Sequence, residues 1–192
     1  MLFWAALWRN REVVLRQSLS WEQTAPHTLS IVEVGGGGPR YWGYYRLQDG
    51  CGAVGLARTD DLAHWAKRGA PLFLNGRWPS VLLRNGVFSM AYTRDYCRDS
   101  YLVLATSKDG ISFNDVGTLV VAEPNLRNQN PNLFQDPRTG DFLLYWYRGD
   151  DRGFWEIHVR RAGDIAGLTN SASERVIMHS ERVLAAPNVI IF

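Results

Sequence analysis

Cysteine is almost missing from this sequence: Cys51 and Cys97 are the only two in 192 residues. So few exclude a disulfide-stapled mini-scaffold, and the pair reads as two free thiols. No charge of one sign dominates. The formal net charge is +2, and positive and negative residues are interspersed. Neither a nucleic-acid partner nor an anionic membrane surface is indicated. Long apolar runs are also lacking. The opening stretch "MLFWAALW" is too short to span a bilayer. Its basic residues, Arg9 and Arg11, follow the apolar run where a secretory leader would place them before it. A cytoplasmic location is therefore expected. Helix signals are nearly absent. The best stretch, "RNREVVLRQSL" at 9–19, carries a β-branched pair and serves equally well as a strand.

What the chain does have is aromatic and apolar surface. Apolar residues make up 46% and aromatics 12%, with eight each of Trp, Tyr and Phe. That is enough for one domain with a real core, and it suits an all-β protein, a carbohydrate binder, or both.

The chain also repeats itself. Pro26, Pro79, Pro131 and Pro187 are each followed by a short apolar run, "LSIV", "VLL", "LF" and "VIIF". After the first three come turn signals, "GGGGP", "RNG" and "DPRTG", then a strand rich in aromatics. A second set of landmarks keeps the same order. Asp61, Asp109 and Asp164 each stand four residues before a bulky residue, Trp65, Phe113 and Leu168. An Asp so placed can cap a turn while the bulky residue returns to the core. The second strands, "YWGYYR", "FSMAYT" and "FLLYWY", are near-continuously apolar, which means burial on both faces.

Four-stranded units at this period predict a β-propeller; a β-sandwich with coincidental spacing is the other reading. The expected organisation is a single, partial propeller domain over 1–192, with blades at about 25–77, 78–129 and 130–185. The first strand of a further blade is expected at 186–192. Propellers commonly close with four to eight blades, so missing blades or self-association would be needed to complete the ring.

The grammar of "WPSVLLRNGVFSMAYT", "NPNLFQDPRTGDFLLYWY", "AAPNVIIF" and "GLARTDDLAHW" resembles the five-bladed propeller glycosidases. These are the family 43 arabinanases and xylosidases and the family 32 invertases. The resemblance covers roughly residues 20–192 and implies a hub-borne carbohydrate site. It also implies hydrolysis of O-glycosyl bonds by paired carboxylates. In those families acids tend to precede the hub prolines. Here the positions hold Ala25, Trp78, Asn130 and Ala186, so the catalytic pair does not carry over. Glu22, Asp95 and Glu123 are the candidate catalytic substitutes.

For binding, His27, Trp78, Arg127, Asn128, Asn130, Asn132 and Asn188 cluster at the N-terminal ends of the hub strands. Asn offers both a donor and an acceptor to sugar hydroxyls, and Trp can stack on a pyranose face. No shared metal spacing links the histidines, and neither metal nor cofactor is expected. Three functions remain open: a glycoside hydrolase-like enzyme, a silent carbohydrate-binding propeller and a protein-interaction propeller.

Overall fold

The computed structural model describes residues 15–47, 50–94, 99–150, 152–181 and 187. The first antiparallel sheet runs β1 (Pro26–Glu33), β2 (Tyr41–Leu47), β3 (Ala53–Thr59). Its outer strand is broken into β4 (Ala66–Lys67) and β5 (Phe73–Leu74), which both pair with β3. The second sheet is β6 (Gly76–Arg84), β7 (Val87–Arg94), β8 (Tyr101–Ser107) and β9 (Asn114–Val120). The third is β10 (Arg127–Gln135), β11 (Phe142–Gly149), β12 (Trp155–Ala162) and β13 (Arg175–Ser180). Within each sheet, spatial order follows chain order, and the first strands β1, β6 and β10 neighbour one another at the hub. The chain is an all-β propeller, with three blades among the described residues. Its only helical elements there are two short 3-10 turns, Ala166–Thr169 and Ser171–Ser173.

The hairpin turns have the chemistry their residues demand. Arg84 pairs with Val87, so Asn85 and Gly86 alone form the β6–β7 turn, with φ of 49° and 74°. Two positive φ values define the turn whose twist matches the flanking strands, and Asn-Gly is its preferred sequence. In "DPRTG" the Asp136 carboxylate accepts the Arg138 N–H at 2.8 Å, while the Gly140 N–H donates to the Asp136 carbonyl.

The three Asp landmarks cap turns as expected. Asp61 accepts from the backbone N–H groups of Ala63 and His64, and Asp109 from those of Ile111 and Ser112. Asp164 accepts from Gly167 N–H at 2.7 Å. The hydrogen bond from the Ser107 hydroxyl, with those of the two N–H groups, holds the Asp109 carboxyl well below the usual range. Of the bulky partners, Leu168 is fully buried and Trp65 and Phe113 are half-buried.

Stacking of the sheets explains the apolar second strands. On β7, Phe88, Met90 and Tyr92 pack toward the first blade beside Val32, Tyr44 and Leu56. Ala91, between them, faces the third blade with Leu133, Leu144 and Trp146. The outward face of the first blade is covered by Leu15 and Trp21 of the preceding segment, packed on Tyr45 and Ala57.

Two expectations are corrected. Cys51 is disulfide-bonded, not a free thiol; the other cysteine, Cys97, lies outside the described residues. The second correction concerns the repeat. Register shifts fall between His27 and Leu29, between Arg77 and Ser80, and between Gln129 and Asn132. This aligns Thr28 with Trp78 and Asn130, and Leu29 with Pro79 and Pro131. Pro26 stands three positions too early to be the first hub proline. A bulge needs an irregular backbone at one residue, not a proline after it, so the first blade keeps the bulge without the marker.

Candidate hub site

The bulges build the site. At each, one non-glycine residue takes a positive φ: Thr28 at 38°, Trp78 at 50° and Asn130 at 51°. Such backbone is strained for an L side chain and persists only when its surroundings impose it. In β6 and β10 the following proline has no N–H to offer the ladder, so two consecutive residues leave the pairing. The three irregularities meet in one pocket of about 360 Å³. Its walls come from Thr28, Leu29 and Ser30 on β1, and Trp78, Pro79 and Ser80 on β6. Asn130, Pro131 and Asn132 on β10 complete them with Pro187.

The pocket's seam is hydrogen-bonded from blade to blade. The Ser30 hydroxyl accepts the Val81 N–H at 2.9 Å, and the Ser80 hydroxyl accepts the Leu133 N–H at 2.8 Å. Ser30, Ser80 and Asn132 occupy the same place in their strands. Trp78 is held by cations: the Arg46 guanidinium lies 4.5 Å from its ring centre and that of Arg77 5.9 Å. Arg77 is itself buried and donates to the Gly50 carbonyl. The Asn130 Oδ1 is buried and has no hydrogen-bond partner. A buried carbonyl without a donor is uncommon and costly, and here it belongs to a side chain of the pocket wall.

The remaining sequence candidates lie elsewhere. Glu22 is 2% exposed and is not part of the pocket wall. Its carboxylate takes a salt bridge from Lys67 at 2.7 Å, the Tyr45 hydroxyl at 2.7 Å, and the N–H groups of Ser18 and Leu19. Burial alone would raise its pKa. The bonds from Lys67, Ser18, Tyr45 and Leu19 outweigh burial and hold it below its ordinary value. Glu123 pairs with Arg148 on β11, in the loop before β10.

Asn128 is fully buried. Its Oδ1 accepts from the Trp146 indole at 3.2 Å and its amide donates to the Val121 carbonyl at 3.3 Å. Arg127 and His27 are exposed on their strands and do not contribute to the pocket wall. Asp95 and Asn188 lie outside the described residues. The structure thus brings Trp78, Asn130 and Asn132 together and leaves Glu22, Glu123, His27, Arg127 and Asn128 apart from them. Thr28, Ser30 and Ser80 join the wall without having been expected. The signal for Ser30 and Ser80 was present in the repeat, since "LSIV", "PSVL" and "PNLF" all carry a small polar residue at that step. Among the described residues no carboxylate lines this pocket, and no three potential metal ligands come together.

Comparison with solved structures identifies the fold. The chain has the fold of the five-bladed propeller glycoside hydrolases. A thermostable family-43 glycoside hydrolase superposes with a TM-score of 0.57 at 17% identity, covering 83% of this chain and 56% of that one. An N-acetylgalactosamine deacetylase from F. plautii, solved with blood group B trisaccharide, gives 0.59 at 14% identity, covering 80% and 55%. A Bombyx mori family-32 β-fructofuranosidase in complex with sucrose gives 0.51 at 13%, covering 64% and 31%. The chain therefore spans about half, or less, of the length of these structures. No family profile matches the sequence, and neither does any curated protein sequence.

Proposed function

We propose that this chain is a glycosidase-like propeller that holds a neutral carbohydrate at its hub. The observation that carries the reading is the composition of one pocket. Trp78 supplies an aromatic face, Asn130 an unpartnered acceptor, and Thr28, Ser30, Ser80 and Asn132 further polar groups. Sugar recognition needs that mixture of flat apolar surface and oriented hydrogen bonding. Two solved relatives in fold carry a trisaccharide or sucrose, which supports a carbohydrate ligand for this one.

Hydrolysis of O-glycosyl bonds is the second reading, favoured by the hydrolases that share the fold. It needs two carboxylates flanking the bond, one to protonate the leaving oxygen and one to activate water or attack. Glu22 and Glu123 are each held by a cation. Catalysis would thus draw its acids from outside the described pocket wall: Asp95, or blades supplied by further chain or a second copy. The disulfide at Cys51 supports an oxidising compartment over the cytoplasm.

Titration calorimetry with neutral mono- and oligosaccharides, beside an aryl-glycoside hydrolysis screen, tests both readings. Saturable binding without turnover, lost in Asn130→Ala and weakened in Trp78→Ala, is the expected result. Turnover that survives both substitutions would overturn the silent-binder reading. Folded protein that neither binds nor hydrolyses would overturn both.

A further inference from the structure

A second pocket lies away from the hub, where the turn of the second blade leans on the first. Its volume is about 360 Å³, and Arg58, Lys67 and Arg68 line it together with the apolar walls Leu56, Ala66 and Ile111. No carboxylate lines it among the described residues. Lys67 is accounted for by its salt bridge to Glu22. The two arginines are not neutralised. Arg58 and Arg68 are half-buried, and neither has a carboxylate partner among the described residues.

Both guanidinium groups are held in place before any ligand arrives. Arg58 lies over the Trp42 ring at 3.7 Å, and its buried Nε has no acceptor. Trp42 is fixed in turn by donating to the Pro39 carbonyl at 3.1 Å and by stacking on Phe88. Arg68 uses Nη1 to donate to the carbonyls of Ala70 and Pro71, at 2.7 and 3.0 Å, which leaves Nε and Nη2 uncommitted. Of the acids on the facing blade, Asp109 is occupied by the Ser107 hydroxyl and the Ile111 and Ser112 N–H groups, and Asp115, which lines the adjoining cavity with Arg68, is occupied by Arg94 and the Tyr92 hydroxyl. Two oriented, half-buried cations on one cavity, with no anion supplied by its wall, favour an anionic ligand.

We propose that this pocket binds a small oxyanion, a carboxylate, sulfate or phosphate carried on a body no larger than one sugar or aromatic ring. Arg58 and Arg68 present N–H edges that match the paired oxygens of such a group. Leu56, Ala66 and Ile111 take its carbon portion. The proposal does not rest on the hub reading, because none of these residues lines the hub pocket.

The test is calorimetric titration of the intact chain with sodium sulfate, inorganic phosphate, glucuronate and glucose, at ionic strength matched with sodium chloride. Saturable 1:1 binding of at least one of the three anions, with none of glucose, is expected. Arg58→Gln and Arg68→Gln should each weaken it about tenfold or more, the usual effect of losing a charge-assisted hydrogen bond. Arg138→Gln, in the exposed β10–β11 turn, should leave it unchanged. Preference for glucuronate identifies a sugar carboxylate; equal binding of all three identifies a general oxyanion site. Should Arg68→Gln not fold, Arg58→Lys keeps the charge, loses the fork, and should still weaken binding several-fold. No saturable binding by folded wild type, or affinity unaltered in the Arg58 variants, overturns the proposal.

Discussion

Replacing Glu22 by Gln separates a structural carboxylate from a catalytic one. Its two oxygens face only donors: Oε1 meets the Tyr45 hydroxyl and Lys67 Nζ, and Oε2 meets Lys67 Nζ with the Ser18 and Leu19 N–H groups. Gln must turn an NH2 toward one of these sets whichever way its amide is flipped. The Lys67 ammonium, 8% exposed, is then buried without a counter-charge. Breaking a buried pair from one side costs about 3–5 kcal/mol.

At roughly 2–4 °C per kcal/mol for a chain of this size, Tm should fall by about 6–20 °C. Adding Lys67→Met removes the orphaned charge and should restore part of the loss. The pH dependence has a definite sign. The folded pKa of Glu22 is depressed, so its stabilisation is present above the unfolded value and disappears as pH falls through the folded one. Wild type and Glu22→Gln should therefore converge in acid and diverge toward neutrality. Circular-dichroism melts across that range, beside an aryl-glycoside assay, decide the matter. An unchanged Tm, or turnover abolished at unchanged Tm, would refute the structural role and return Glu22 to the catalytic candidates.

Four further outcomes follow from particular contacts. Ser80→Ala removes the acceptor for the buried Leu133 N–H and should cost about 1–3 kcal/mol by chemical denaturation, more than Ala at an exposed serine. Gly86→Ala meets open space, so only its φ of 74° opposes the change, and about 1 kcal/mol is expected. Gly55→Ala is a contrasting case: its Cβ would fall 2.3 Å from the Tyr45 ring, displacing a Glu22 partner, and a loss above that of Gly86→Ala should appear in the same melts. Cys51→Ser should lower stability by about 2–4 kcal/mol, and reductant should do the same to wild type while leaving the variant unmoved.

How far the sequence foretold the molecule depends on the range of the interaction. Turn chemistry is local, so Asn85-Gly86 and the Asp caps at 61, 109 and 164 were legible from a few adjacent letters. Double-sided burial of β2 and β7 was legible because stacked sheets leave no polar alternation. The hub strand of the first blade was placed correctly, but its marker was not: Pro26 stands three residues before the equivalent of Pro79, since the bulge at Thr28 is not followed by proline. Roles set by distant partners were not legible at all. Glu22 meets Lys67 across 45 positions, and Arg58 meets Ile111 only once two blades pack. Asn128 and Asn130 look alike in "NQNPNL", yet one is turned into the core by the Trp146 indole and the other into the pocket by its bulge.

The placement of acids follows from how a propeller is assembled. Each blade needs its own turn caps and its own side-chain ties, and carboxylates serve both. Asp61, Asp109 and Asp164 cap turns; Glu22 holds the N-terminal segment to the first blade through Lys67 and Tyr45. In the third blade Glu156 and Glu174 flank the buried His158, and Glu174 also pairs with Arg160. At the hub the repeated bulge contributes one side chain per blade, and here those are a hydroxyl, an indole and an amide. Such a set can stack and hydrogen-bond but cannot transfer a proton at neutral pH. On the proposed reading, the hub is a sugar site whose wall carries no acid–base pair among the described residues. Binding on that reading would depend on shape and on side chains such as Trp78 and Asn130, whereas hydrolysis would depend on carboxylates the wall does not supply.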